Sequence, residues 1–523
     1  MTGGRTLARA GIIVSATFLA SRLLGWVRLL VIANTFNAGP ELDAYFAAFR
    51  IPDLVFQLVA AGALGSALIP IVSGLLATEQ SARAWRVVST VANLMLVALL
   101  VLAVVLFIAA PVIVPAITPG FGPLEAAKTI ELTRIMLLSP IFLALGSVAT
   151  SVLNSAGRFA AAAIAPVVYN LAIIAAAIVL APRFGVEGLA VGVVLGSLLH
   201  LVVQSSSVRR LGFAYVPRID LSDGDARTAL KLMGPRALGL GATQITFVVV
   251  TSLASLLGTG AITAYNVAFT LLQIPIGVIG VPLGTVVFPS LSREVALGNA
   301  REYVSLLTRA IRLLIYTMVP ISALFGVLRE PVVEVLFPKF DRAAVQLTAD
   351  TLLMFLVGLT AHALIAVLAR AFYARQDTRT PVAAAILAVV VNTTLAIVLV
   401  GPFGLPGIAL AIAIAAWVEA IVLFALLERL LPDFGLGGLA RVAIESLAGT
   451  GIGTVAALAT RSTLEQMVGV SPGRLAFVGE GIVVAAVFGL AYVAISVALR
   501  IPELPSIVGV MTDLLRRGSP RRS

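Results

Sequence analysis

Cysteine is absent from all 523 residues. A disulfide framework, a thiolate metal site and a cysteine nucleophile are therefore excluded. Histidine occurs twice, as His200 and His362, each alone in an apolar stretch and read as a packed or interfacial residue and not a ligand. No His/Asp/Glu group stands at metal-ligand spacing, and no Walker-type phosphate loop is found. Paired catalytic carboxylates in a polar segment are missing too, so enzyme chemistry has little to stand on. Charged residues make up 12% and apolar residues 60%, a balance that no water-soluble globule of this size has. The short alternating segments of a membrane β-barrel are not seen.

What fills the chain is apolar runs of about 18 residues or more, long enough to cross a bilayer as helices. Roughly fourteen are read near 11–36, 42–76, 85–116, 130–155, 159–181, 187–208, 229–257, 261–290, 303–328, 346–372, 381–401, 405–428, 438–460 and 475–499. The formal charge of +11 is explained by topology. With the N-terminus in the cytoplasm, most Lys and Arg fall on inner ends and loops, among them Arg5, Arg83, Arg158, Arg209, Arg293, Arg375 and Arg516. Lys128, Arg183 and Lys339 fall outside. This follows the positive-inside rule, places both termini inside, and leaves no call for nucleic acid. The apolar start after Arg5 and Arg9 continues past Arg22 and Arg28, which makes it a span and not a cleaved signal peptide.

The chain also repeats itself at a spacing of about 220 residues. Leu64-Gly65-Ser66-Ala67-Leu68-Ile69-Pro70 answers Leu283-Gly284-Thr285-Val286-Val287-Phe288-Pro289. Ala44-Tyr45 and Ala48-Phe49 answer Ala264-Tyr265 and Ala268-Phe269, and Phe184-Gly185 answers Phe403-Gly404. The expected organisation is a six-helix half at 1–210, a polar cytoplasmic linker at 211–228 and a second half at 229–430. Two additional helices at 438–500 and a basic cytoplasmic tail at 501–523 follow. In the tail, Ile507, Val510, Met511, Leu514 and Leu515 stand at helical spacing. They suit either a short interfacial helix or a disordered basic end. Two related membrane halves are the usual plan of a secondary transporter. Gly25, Pro52, Gly62, Gly65, Gly280 and Gly284 are candidate bending points.

Charges in the first two segments are the strongest pointer to a site: Arg22, Arg28, Asp43, Arg50 and Asp53. Each costs about 2.5–3.5 kcal/mol at mid-bilayer on insertion scales. Aligned with Asp43 and Arg50 in the second half are uncharged Thr263 and Thr270. Arg22 and Arg28 lie about 120° and 9 Å apart on an ideal helix, so one small ion is shared only if the helix bends at Gly25. Arginine suits a bidentate grip on phosphate. Against this stand plainer roles: Arg28 and Arg50 as interfacial anchors, Asp43 as a helix cap. Glu419, well inside the twelfth segment, is a candidate ion or coupling site, and Glu480 lies near the start of the fourteenth.

Ser21-Arg22-Leu23-Leu24-Gly25-Trp26-Val27-Arg28, Phe36-Asn37-Ala38-Gly39 and Leu42-Asp43-Ala44-Tyr45 resemble the opening signature of the MurJ/MviN lipid II flippase family. So do Gly157-Arg158-Phe159, Ile274-Pro275 with Gly277-Val278-Ile279-Gly280, Pro289-Ser290-Leu291-Ser292 and Phe372-Tyr373-Ala374-Arg375-Gln376-Asp377. The resemblance runs in register over roughly residues 10–430. It implies the all-α membrane fold of the multidrug/oligosaccharidyl-lipid/polysaccharide exporter superfamily, with about 14 transmembrane helices in two pseudo-symmetric lobes plus two C-terminal helices. The implied cargo is lipid II, moved from the inner to the outer leaflet of a bacterial plasma membrane by alternating access. It implies functional roles for Arg22, Arg28 and Asp43, a lipid-tail groove on the last two helices, membrane lipids and peptidoglycan-synthesis proteins as partners, and no enzymatic activity. No cofactor is expected beyond a coupling cation or the membrane potential. Phe56, Ala61 and Thr270 depart from the family's charged positions, which leaves another polyprenyl-linked oligosaccharide, a drug, or a non-transporting scaffold as alternatives.

Overall fold

The computed structural model describes residues 2–59, 63–431, 434–468, 474–505 and 509. Among them every regular element is helical. In chain order these are α1 (Thr2–Phe36), α2 (Pro40–Val59), α3 (Ala63–Ala77), α4 (Ser81–Ile117), α5 (Pro123–Met136), α6 (Ser139–Ser155), α7 (Phe159–Val179), α8 (Ala181–Arg209) and α9 (Gly224–Ser255). Then come α10 (Ala261–Pro275), a π-helical turn (Ile276–Gly280), α11 (Val281–Ala296), α12 (Ala300–Val327), α13 (Arg329–Leu336), α14 (Arg342–Val357), α15 (Leu359–Ala374), α16 (Arg379–Leu430), α17 (Leu436–Val468) and α18 (Arg474–Ala498). The described residues of the fourteen apolar segments fall mostly on single helices or on consecutive helical elements. Nine described helices or helix pairs are long and apolar enough to cross a membrane, or ten if α14 and α15, bent by 43°, form one span. The chain is a multi-pass membrane protein.

The backbone repeats as the sequence does. Residues with positive φ recur in pairs at the repeat spacing: Asn37 (65°) with Gly258 (94°), Glu79 (59°) with Gly298 (67°), Gly157 (68°) with Gln376 (62°), and Gly185 (59°) with Gly404 (60°). Gly185 and Gly404 also share ψ near −140°, at −147° and −138°. Only glycine adopts that region without strain. These two residues set the kinks near the start of α8 and inside α16.

The chain forms two compact units, Met1–Thr263 with Lys339–Asp341, and Ala264–Pro338 with Arg342–Ser523. The boundary between these units lies past the linker expected at 211–228. The reason is α9, which the repeat assigns to the second half but which packs on α2, α3 and α4. The core of the first unit is built from α3, α4 and α6 around Leu64, Leu68, Val87, Val91 and Val152. Val101, Val104, Ile108 and Val112 on α4 are exposed, as suits a lipid-facing stripe.

The segment 211–223 is no loose tether. Within it there is no helix or strand, and several of its backbone groups pair with polar side chains of α4. Asn93 donates to Val216 O (2.9 Å) and Arg218 O (3.1 Å) and accepts from the Tyr215 hydroxyl (2.6 Å). Ser89 and Thr90 accept from the N–H groups of Val216 and Asp220. Replacing Asn93 by leucine removes three hydrogen bonds worth about 1 kcal/mol each. Limited trypsin cleavage after Arg218 is expected to run at least about tenfold faster, followed by gel densitometry on purified protein.

In the second unit, α17 and α18 approach closely because Gly449 and Gly453 lie against Tyr492 and Phe488, where an added Cβ would sit 3.2 Å from each ring. Tyr492 donates to Tyr316 O (2.7 Å), and Tyr316 donates to the Ser496 hydroxyl (3.0 Å). Arg312 donates to Glu503 at 2.6 Å, and Ile501 is buried. Residues 501–505 therefore belong to the packed unit, and the expected tail starts later. The interfacial helix expected over 507–515 lies outside the described residues.

At the start of α16, Asp377 accepts from the Thr380 hydroxyl (2.6 Å) and from the N–H groups of Thr380 and Arg379, which hold its carboxyl below the usual range. A folded-state pKa lowered in this way stabilises the fold above the ordinary carboxylate value of about 4. That contribution is lost as pH falls through the lowered folded value. Asp377→Ala is expected to be less stable than the parent near neutral pH, with the gap closing on acidification. Thermal unfolding in detergent from about pH 7 to pH 3 measures it.

Candidate functional site

α1 lies along α7, and one of the contacts is Asn170, which donates to Ser21 O at 3.4 Å and to Pro166 O at 3.0 Å. Next to it, Tyr169 turns toward α1, where the Arg28 guanidinium stands 5.8 Å from its ring centre. From α2, Arg50 reaches α9: its Nε–H donates to Thr251 Oγ1 at 3.0 Å, and the guanidinium lies 5.2 Å from the Phe247 ring centre. Asp53, one turn along α2, interacts electrostatically with Arg50 and, more weakly, with Arg28. The first unit thus gathers two guanidiniums, one carboxylate and a tyrosine from α1, α2 and α7, oriented by α9. Arg28 and Arg50 are half-buried. Two permanent cations around one carboxylate leave an excess positive charge in a poorly solvated place, which favours an anion.

The other expected site residues fall differently. α1 is a continuous helix through Gly25, so Arg22, also half-buried, remains about 9 Å from Arg28 along the axis. Arg28 is linked to Arg50 through Asp53, which interacts electrostatically with both. Asp43 is 1% exposed and accepts three hydrogen bonds: from the N–H of Gly260 (2.5 Å), the N–H of Thr263 (2.7 Å) and the Thr263 hydroxyl (2.6 Å). It caps the first turn of α10. Thr263 is the residue that the internal repeat aligns with Asp43, so equivalent positions meet. Glu419, in the part of α16 after Gly404, is half-buried and has no ion-pair partner among the described residues. Phe56 packs into the apolar core of the first unit, and Ala61 lies outside the described residues.

Of the bending points, Pro52 lies inside α2. It cannot donate to Ala48 O, and the Thr133 hydroxyl approaches that oxygen at 3.5 Å. Gly62 lies outside the described residues. Gly65 is within α3, with no tight neighbour. In the second half the irregularity is the π-turn ending at Gly280, which lies against Ala363. Gly284 lies against Arg370 of α15, which donates to Ala366 O (2.6 Å) and Thr285 Oγ1 (3.3 Å). Sequence reading overlooked Arg370, Tyr169, Phe247 and Thr251. Arg370 alone carried a signal, as an arginine in an apolar helix.

Residues 32–475 match the family profile described as "Lipid II flippase MurJ". The chain belongs to this family. A lipid II flippase MurJ of Burkholderia cenocepacia is 33% identical over 430 residues, 80% of this chain and 83% of the relative. A probable lipid II flippase MurJ of Rhizobium tropici is 32% identical over 437 residues, 81% of each chain. Among solved structures, one described as "Lipid II flippase MurJ, inward closed conformation" superposes with a TM-score of 0.78 at 22% identity, covering 94% of this chain and 99% of that one. An inward-facing multidrug resistance transporter of the MATE family superposes at 0.65 with 19% identity, over 79% and 95%. These likenesses show a MurJ-type fold, to which that of the MATE transporter is similar.

Proposed function

We propose that the protein is a flippase that carries lipid II from the inner to the outer leaflet of a bacterial plasma membrane, with both termini in the cytoplasm. The observation that supports this most is the cluster of Arg28, Arg50 and Asp53 in a chain of this family: a surplus cation within membrane helices, suited to a pyrophosphate. The polar headgroup cannot cross hydrocarbon unaided. Guanidiniums replace part of its hydration, while the prenyl tail remains in lipid. Alternating access would expose the cluster to each side in turn, with the π-turn and the region around Pro52 as points of bending. Arg22 adds a third guanidinium to the same lobe, and Glu419 is the candidate for a coupling cation or proton. The membrane potential would help return the unloaded, net-positive site inward, by roughly 2.3 kcal/mol per charge per 100 mV. No cofactor is needed in this scheme, and the partners are lipid II, membrane lipids and proteins of peptidoglycan synthesis.

The test is replacement of the resident flippase in a depletion strain, with surface exposure of lipid II as the readout. Growth with restored exposure is expected. A well-expressed, membrane-inserted chain that restores neither would point to another cargo.

A further inference from the structure

The second unit contains a cavity of about 470 Å³ far from the arginine cluster in sequence, where the end of α17 meets the starts of α14 and α18 beside α13. Its charged lining comprises Glu330, Glu334, Glu465, Glu480, Arg342 and Arg461. Carboxylates outnumber guanidiniums by two. Arg461 is already divided: Nη2 donates to Glu330 (3.0 Å), Nη1 to Val327 O (3.2 Å) and Nε to Glu465 (2.9 Å). Glu480 stands 3.4 Å from that same Nε, with its side chain 9% exposed. The Nε–H is directed to Glu465, so the buried Glu480 Oε1 receives no hydrogen bond. A buried carboxylate oxygen without a donor is costly, and this one lines the cavity.

We propose that the cavity binds a primary ammonium group, with Glu480 and Glu334 as its acceptors. A metal ion suits it less: no described group of carboxylates or histidines has metal-holding geometry, and the volume is that of a small-molecule site. Leu464 and Phe477 supply apolar wall for an alkyl stem. On the topology proposed above, α17 ends and α18 begins at the outer face. The ammonium can then come from an aminophospholipid headgroup or from an amine on the peptide of a lipid-linked precursor.

Binding of hexylammonium, hexanol and hexanoate to the full chain in nanodiscs, by ligand-observed NMR titration, tests the site. Hexylammonium is expected to bind at least about tenfold more tightly than hexanol, with hexanoate weakest. Glu480→Gln and Glu334→Gln are each expected to weaken hexylammonium at least about fivefold, with thermal midpoints near the parent's. Equal affinity for hexanol and hexylammonium overturns the proposal, as does unchanged binding in both variants. Tight calcium binding that displaces the amine reassigns the cavity to a metal and overturns it too. Competition by phosphatidylethanolamine but not its N-acetyl form identifies the lipid source, and the same pair of forms of a lipid-linked precursor identifies the cargo source. Only the last arm involves the flippase reading. Ammonium binding without lipid II transport leaves this site standing, and transport without ammonium binding removes it alone.

Discussion

Replacing Arg28 by alanine is expected to reduce lipid II exposure about 100-fold at unchanged membrane levels. The figure follows from losing charge-assisted hydrogen bonds of about 1.5–3 kcal/mol to the diphosphate in a poorly solvated site. Arg28→Lys retains the charge but loses the planar fork, and should recover only part of the loss. Arg50→Ala tests a sharper point. With Arg50 gone, Arg28 and Asp53 form a neutral pair, and the surplus that attracts an anion disappears. Adding Asp53→Asn restores one positive charge, so the double variant should regain about tenfold over Arg50→Ala alone. Quantifying surface lipid II in the four strains of this cycle decides between net charge and fixed geometry as the source of the grip. Wild-type exposure in Arg28→Ala would remove the cluster from the mechanism.

Much of this architecture was legible in the chain. The apolar runs fix where helices lie, because backbone groups in hydrocarbon must be satisfied within the helix. The repeat read from Leu64-Gly65 and Leu283-Gly284 reappears in the four pairs of positive-φ residues. Local spacing does not give azimuth or partner, and that is where reading stopped. Asp43 looked like a site acid because capping and cargo binding use the same carboxylate, and its donors are about 220 residues away. Arg50 was visible as a charge, but Thr251 and Phe247, which orient it, are ordinary residues of an apolar helix. Glu480 was visible as a charge near the start of the fourteenth segment, but its neighbour Arg461 belongs to the preceding helix. The compact units divide after α9 for a similar reason: helix order along the chain does not dictate which neighbours a helix packs against.

Asp43 carries the largest expected effect on folding. Its carboxylate is buried and accepts from three donors, and alanine leaves all three without a partner. At about 1–3 kcal/mol for each stranded group, Asp43→Ala should destabilise the protein by roughly 3–5 kcal/mol, near the upper end for one substitution. The readouts are denaturant unfolding in detergent and the yield of monodisperse protein. Asp43→Asn keeps one oxygen for Thr263 but turns an amide N–H₂ toward the Gly260 N–H, or the reverse, and should lose about half as much. Thr263→Val removes only the hydroxyl donor, so its effect should largely vanish in the Asp43→Ala background, a coupling that a double-mutant cycle reads directly. Transport per folded molecule separates the two roles of this residue. A cap predicts that Asp43→Asn moves lipid II at the parental rate once corrected for folded protein. A rate loss at normal folded level, with stability intact, would return Asp43 to the cargo path and leave its hydrogen bonds to Gly260 and Thr263 as one state of a working acid.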